Sequence, residues 1–140
     1  DAPGGEQTAW YLPPREGGDR PDRLWIVFGG NAATALGWLD FAEGYPDRRS
    51  AFLLADFPGY GANPGSPTRT SMIAGATGAL AAARAQMKLG DAKTSPSVPL
   101  GILGHSMGAA AGLELAVRSD AFKEGMQAFA EKRQPDFTGW

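Results

Sequence analysis

Three short stretches of this chain carry no polar side chain: Leu24-Trp25-Ile26-Val27-Phe28, Ala51-Phe52-Leu53-Leu54-Ala55 and Val98-Pro99-Leu100-Gly101-Ile102-Leu103. A strand with one wet face alternates apolar and polar positions, so unbroken apolar runs predict strands covered on both faces, as in a parallel sheet. Thr8-Ala9-Trp10-Tyr11-Leu12 is β-prone and is closed by Pro13-Pro14. Proline cannot donate to a ladder, so this fourth strand belongs at an edge. Helical spacing fills the intervals. Ala35, Leu36, Leu39 and Phe41 mark a short helix, and Met72, Ile73, Ala76, Leu80, Ala83 and Met87 recur every three or four residues over about 70–89. That Met and Ile stripe reads as core and not as a cofactor box. Residues 109–118 are strong helix formers apart from Gly112, whose missing side chain permits close packing on a strand. Strand and helix alternate, which predicts an α/β fold: a mostly parallel sheet flanked by helices, with right-handed crossovers.

Breakers punctuate these elements. Gly29-Gly30-Asn31, the rim loop from Phe57-Pro58-Gly59-Tyr60-Gly61 to Pro67, Gly90-Asp91 and Ser95-Pro96 all fall between apolar runs. The 20 Gly and 11 Pro therefore signal tight connections and not disorder. A last helical pattern covers 121–133, with Phe122, Met126, Phe129 and Ala130 on one face and Lys123, Glu124, Glu131 and Lys132 on the other. All 140 residues read as one domain.

Charge narrows the partners. A net charge of −2 with scattered Lys and Arg gives no support for binding nucleic acid or anionic lipid. No apolar run approaches the roughly 20 residues of a bilayer span. The absence of cysteine excludes disulfides and thiolate metal sites. Asp1-Ala2-Pro3-Gly4-Gly5 reads either as the end left by leader cleavage, which favours a secreted or periplasmic protein, or as a cut edge.

The candidate chemistry lies directly after the third apolar run, in Gly104-His105-Ser106-Met107-Gly108. A G-x-S-x-G string between a strand and a helix is the setting in which a sharp turn thrusts a serine hydroxyl out of the sheet. Gly104 and Gly108 suit the crowding such a turn creates. The helix beginning at Met107 directs its positive end at any oxyanion, so the Met107 N–H is one candidate donor. The loop Gly29-Gly30-Asn31-Ala32 is placed to supply the second, with Asn31 favoured. A small acyl substrate follows as the partner, and the chemistry needs no metal or organic cofactor. Trp38, Phe57 and Tyr60 are open to two readings, lining for an acyl pocket or ordinary core and rim packing.

Phe28-Gly29-Gly30-Asn31-Ala32, Asp56-Phe57-Pro58-Gly59-Tyr60-Gly61 and Gly104-His105-Ser106-Met107-Gly108 occur in that order. In this combination the chain resembles an α/β-hydrolase. It is similar to those serine hydrolases whose oxyanion loop reads His-Gly-Asn-Ala and whose next strand ends in an Asp-Tyr-Pro-Gly-Tyr-Gly-like turn. The resemblance covers residues 7–118. It implies Ser106 as the nucleophile, Asn31 and Met107 as oxyanion donors, and His105 as a packing residue of the elbow. One departure is Gly29, which stands where the family has a histidine that supports the loop.

A serine nucleophile needs a base oriented by a carboxylate. The chain has a single histidine, His105, whose side chain at a strand end projects away from that of its neighbour Ser106. In the family the acid and the histidine come after later strands, and none is predicted after residue 118. Asp120 and Asp136 read as a helix cap and a tail residue. The resemblance makes 121–133 similar to the last helix of such enzymes, which implies a segment missing near 119–121 and a fold that lacks its late strands. Two functions remain: a serine hydrolase acting on an ester or related acyl group, or a non-catalytic scaffold serving as a binding or structural module.

Overall fold

The computed structural model describes residues 5–87 and 98–136. The breakers Gly90-Asp91 and Ser95-Pro96, the end of the 70–89 pattern beyond Met87 and the first four residues lie outside them. Strand β1 is Ala9–Leu12, β2 is Arg23–Phe28, β3 is Ser50–Ala55 and β4 is Leu100–Gly104. They form one sheet in the order β1-β3-β2-β4. Strands β2, β3 and β4 run parallel, whereas β1 runs antiparallel to β3 at the edge. All six residues of β3 are buried, as the apolar run predicts. In β4 only one edge is paired among the described residues, and its residues are half-buried up to the exposed Gly104.

Register divides the side chains into two layers. Leu24, Ile26 and Phe28 pair with Ala51, Leu53 and Ala55, and this set packs with Met72, Ala76, Ala83, Met87 and Ala111. The helices on this face are α2 (Arg69–Gln86) and α3 (Met107–Val117). On the other face Val27, Phe52 and Leu54 pack with Ala35 and Ala42, from a 3₁₀ turn (Ala35–Trp38) and α1 (Leu39–Gly44). Period-two alternation thus buries both faces of one strand against different helices. The crossover after β2 passes to one side of it, and the crossover after β3 returns over the opposite face to β4. The carboxyl ends of β2 and β4 therefore flank a topological switch point, the place where open α/β sheets form their sites.

Two glycines make room for neighbouring side chains. A Cβ on Gly112 of α3 would sit 2.7 Å from Ile102 Cγ2, and one on Gly101 of β4 would strike the Trp25 ring at 2.3 Å. Helix α2 begins with a reciprocal cap, in which Thr68 and Ser71 each accept from the other's backbone N–H.

Helix α4 (Asp120–Glu131) departs from its pattern. The apolar stripe is not the buried face: Phe122, Met126 and Phe129 are exposed, Phe129 by 82%, while Ala121 and Ala128 are buried. Small residues allow close approach to the body of the protein, and the bulky stripe is left outward. Asp120 is not the cap. Ser119 fills that position, its hydroxyl accepting from the Phe122 N–H at 3.2 Å, while Asp120 pairs with Lys123 in the first turn.

Candidate active site

Strand β4 ends at Gly104 and helix α3 begins at Met107, so two residues must reverse the chain. Ser106 takes the strain, with φ 54° and ψ −117°. Such a conformation costs a non-glycine residue on the order of 1–3 kcal/mol and persists only where its surroundings hold it. The surroundings are backbone. The His105 N–H donates to the Phe28 carbonyl at 3.1 Å, Gly108 to His105 at 2.9 Å, and Ala109 to Ser106 at 2.9 Å. A Cβ on Gly104 would lie 2.5 Å from the Gly108 carbonyl oxygen, and one on Gly108 would lie 2.3 Å from that of Phe28. Neither neighbour can swing aside, which explains a glycine at each position.

Ser106 is an exposed residue, and its side chain makes no capping bond to α3. Met107 is the first residue of that helix, and the first N–H groups of a helix have no partner within it. They also carry its positive end. The Met107 side chain packs on the core, so its backbone is anchored.

The loop after β2 lies beside this turn. A Cβ on Gly30 would meet His105 Nδ1 at 2.7 Å and its carbonyl oxygen at 3.3 Å. The structure thus brings Gly30 against His105 and the Gly29-Gly30-Asn31 loop against the elbow. Ala32 is left-handed at φ 59°, and the Ala33 N–H closes the turn on the Gly30 carbonyl at 3.2 Å. At Gly29 a Cβ would be 3.1 Å from that of Ala33, so a larger residue here would crowd Ala33.

Two residues hold this loop that the sequence reading did not single out for the task. The Tyr60 hydroxyl donates to Asn31 Oδ1 at 2.6 Å. Asp56, 9% exposed, accepts from the Ala35 N–H at 2.6 Å. Burial pushes the Asp56 carboxyl above the usual carboxylate range, and the Ala35 hydrogen bond opposes it. Asn63, also buried, donates to the Asp56 carbonyl at 3.0 Å and accepts from the Thr8 N–H at 2.6 Å. The one available signal was Asp56 itself, a charge directly after an all-apolar strand.

The pocket candidates separate. Phe57 is core, 4% exposed and stacked on Phe28 with centroids 5.6 Å apart, so it does not line a pocket. Trp38 packs edge-on to Phe41 in the second layer. Tyr60 stands perpendicular to Phe57 with its hydroxyl on Asn31. A cavity of about 1080 Å³ runs between β1 and α2 past Leu36 and Asp56, and its lining does not include Ser106, Asn31 or Met107.

His105 is exposed, and among the described residues no hydrogen bond joins it to the Ser106 hydroxyl. The Asp136 N–H donates to Glu124 at 2.7 Å, which folds the segment after α4 back along the helix. No helix among the described residues is long and apolar enough to cross a membrane.

No family profile and no solved structure matches the chain. It is similar to two uncharacterized proteins of Mycobacterium tuberculosis, one from strain CDC 1551 / Oshkosh and one from strain H37Rv. Each is 32% identical over 109 residues, which is 78% of this chain and 36% of the relative. The chain thus spans about a third of the length of the curated relatives it matches.

Proposed function

We propose that this chain is the nucleophile-bearing part of an α/β-hydrolase-type serine hydrolase acting on an ester or related acyl group. The observation that carries the reading is the strained Ser106 at a strand-to-helix turn, locked by backbone that admits only glycine at Gly104 and Gly108. Its position at the switch point, beside a second glycine loop, is further support.

In this reading Ser106 Oγ attacks the acyl carbon and its proton passes to a histidine base. The Met107 and Asn31 backbone N–H groups receive the oxyanion, each such donor being worth roughly 10²–10³ in rate. Collapse expels the alcohol, protonated by the same histidine, and water then attacks the acyl-Ser106 ester by the reverse path. His105 rests on Gly30 and is not that base. The base and its carboxylate come from polypeptide outside these 140 residues, for which the greater length of the relatives leaves room.

The single histidine of the chain, His105, lies against Gly30, which favours a second reading, a non-catalytic scaffold that binds through the same loops. A fluorophosphonate probe separates the two in the full-length protein. Labelling that vanishes in Ser106→Ala supports the hydrolase, and a folded full-length protein that takes no label overturns it.

A further inference from the structure

The loop after β3 touches the end of β2, the loop that follows it and the start of the 3₁₀ turn beyond. Phe57 stacks on Phe28, the last residue before Gly29. Tyr60 donates its hydroxyl to the Asn31 side-chain oxygen at 2.6 Å. Asp56 Oδ1 accepts from the Ala35 N–H, the first residue of the 3₁₀ turn, at 2.6 Å.

The holding loop is itself stiff. The Tyr60 N–H donates to the Phe57 carbonyl at 2.9 Å, Asn63 to Tyr60 at 2.9 Å and Gly59 to Asn63 at 3.1 Å. Gly61 is left-handed at φ 57°, and a Cβ there would lie 2.4 Å from Asp56 Oδ2, so the chain wraps closely around the carboxylate. Asp56 is buried. A buried carboxylate costs stability unless hydrogen bonds offset it, and the Ala35 N–H supplies one.

We infer that Tyr60, through the Asn31 side chain, and Asp56, through the Ala35 N–H, are positioning residues that fix the backbone of Asn31 for oxyanion binding. This rests on the hydrolase reading of the site. The geometry has a specific logic. Gly30 leaves room for the His105 ring, which a Cβ would meet at 2.7 Å, and two successive glycines leave a loop flexible. An oxyanion donor must be preorganised to within a few tenths of an ångström. The stiffness that Gly29 and Gly30 cannot provide is supplied from the next loop. It also explains why residue 31 carries an amide side chain although its backbone is the group that acts.

The test uses the full-length protein, with rates of fluorophosphonate labelling and of p-nitrophenyl ester hydrolysis, and hydrogen exchange of the 29–35 amides. Tyr60→Phe removes one hydroxyl. It is expected to lower the labelling rate and kcat roughly five- to tenfold, the worth of one hydrogen bond, with KM within about twofold and faster exchange at Asn31 to Ala33. Asp56→Ala should do the same at Ala35, and Asp56→Asn, which keeps an acceptor oxygen, should restore most of the rate. Residues that only hold the fold would lower Tm and leave the folded protein's labelling rate unchanged. Wild-type protein that labels at Ser106, together with a Tyr60→Phe variant of unchanged rate or unchanged exchange, overturns this inference alone. Wild-type protein that takes no label overturns the hydrolase reading and this inference with it.

Discussion

The α-carbon of Gly108, in the first turn of α3, lies so close to the end of β2 that a Cβ there would be 2.3 Å from the Phe28 carbonyl oxygen and 2.5 Å from that of Gly29. Helix and strand are packed backbone to backbone beside the Ser106 turn. Gly108→Ala should therefore push α3 off β2 and destabilise the protein by about 1–3 kcal/mol or more. Gly78 on the exposed side of α2 has no atom within 4 Å of the same construction. There the change to alanine should stabilise by about 0.5–1 kcal/mol, through helix propensity. Urea unfolding of the two variants gives opposite signs. Equal effects would show that crowding is not what dictates Gly108.

Helix α4 makes the reverse distinction between large and small. Phe129 is 82% exposed and Ala128 is 1% exposed. Phe129→Ser should change stability by no more than about 0.5 kcal/mol, whereas Ala128→Leu should cost about 1–3 kcal/mol by overpacking. Thermal melts of both single variants check this. A larger loss in Phe129→Ser would mean that the stripe is covered in solution.

That helix shows where sequence reasoning stops. Period and polarity identified α4 and sorted its residues into faces, yet periodicity does not say which face a neighbour meets. The small pair Ala121 and Ala128 wins because short side chains permit close approach. The sheet was far more legible. All-apolar runs at Leu24 to Phe28 and Ala51 to Ala55 leave a strand no exposed face, so parallel central strands follow from composition alone, and Pro13-Pro14 puts β1 at the edge. Gly104, Ser106 and Gly108 were legible because a tight turn imposes residue types at fixed spacing. The roles of Asp56 and Tyr60 were not. Their partners are 21 and 29 residues away, and one of them is a backbone N–H, which leaves no mark on a sequence.

The end of α4 offers a titration. Arg133 donates to Glu124 at 2.6 and 3.1 Å, and the Asp136 N–H adds a third bond at 2.7 Å. Hydrogen bonding from Arg133, followed by that from Asp136, lowers the Glu124 carboxyl from the ordinary 4.5 to about 2. A depressed folded value means that the unfolded chain binds the proton first. The stabilisation is then fully present above about 4.5 and is lost as pH falls through about 2. Arg133→Ala should return Glu124 toward the ordinary range, read from its side-chain carboxyl ¹³C shift against pH. In 1 M salt the wild-type value should also rise, because an exposed pair is screened. A Glu124 midpoint that ignores both changes would place the cause elsewhere.

Gly30 and His105 join the two loops of the candidate site, and their contact can be tested as a pair. A Cβ on Gly30 would be 2.7 Å from His105 Nδ1 but 3.3 Å from the His105 carbonyl oxygen. The severe clash is thus with a side chain, and the milder one with backbone. In the proposed hydrolase, Gly30→Ala should displace the Asn31 loop from the elbow and slow fluorophosphonate labelling of Ser106 by about 10²-fold, the scale of one lost oxyanion donor. His105→Ala removes the ring and should by itself alter the rate little, since His105 is not the base. The double variant should regain most of the lost rate, because only the 3.3 Å contact then remains. Coupling of this kind is what a double-mutant cycle measures between touching residues. Additive losses in the double variant would mean that Gly30 is required for its own backbone conformation and not for the space it leaves to His105. A large loss in His105→Ala alone would assign the imidazole a direct part in the chemistry.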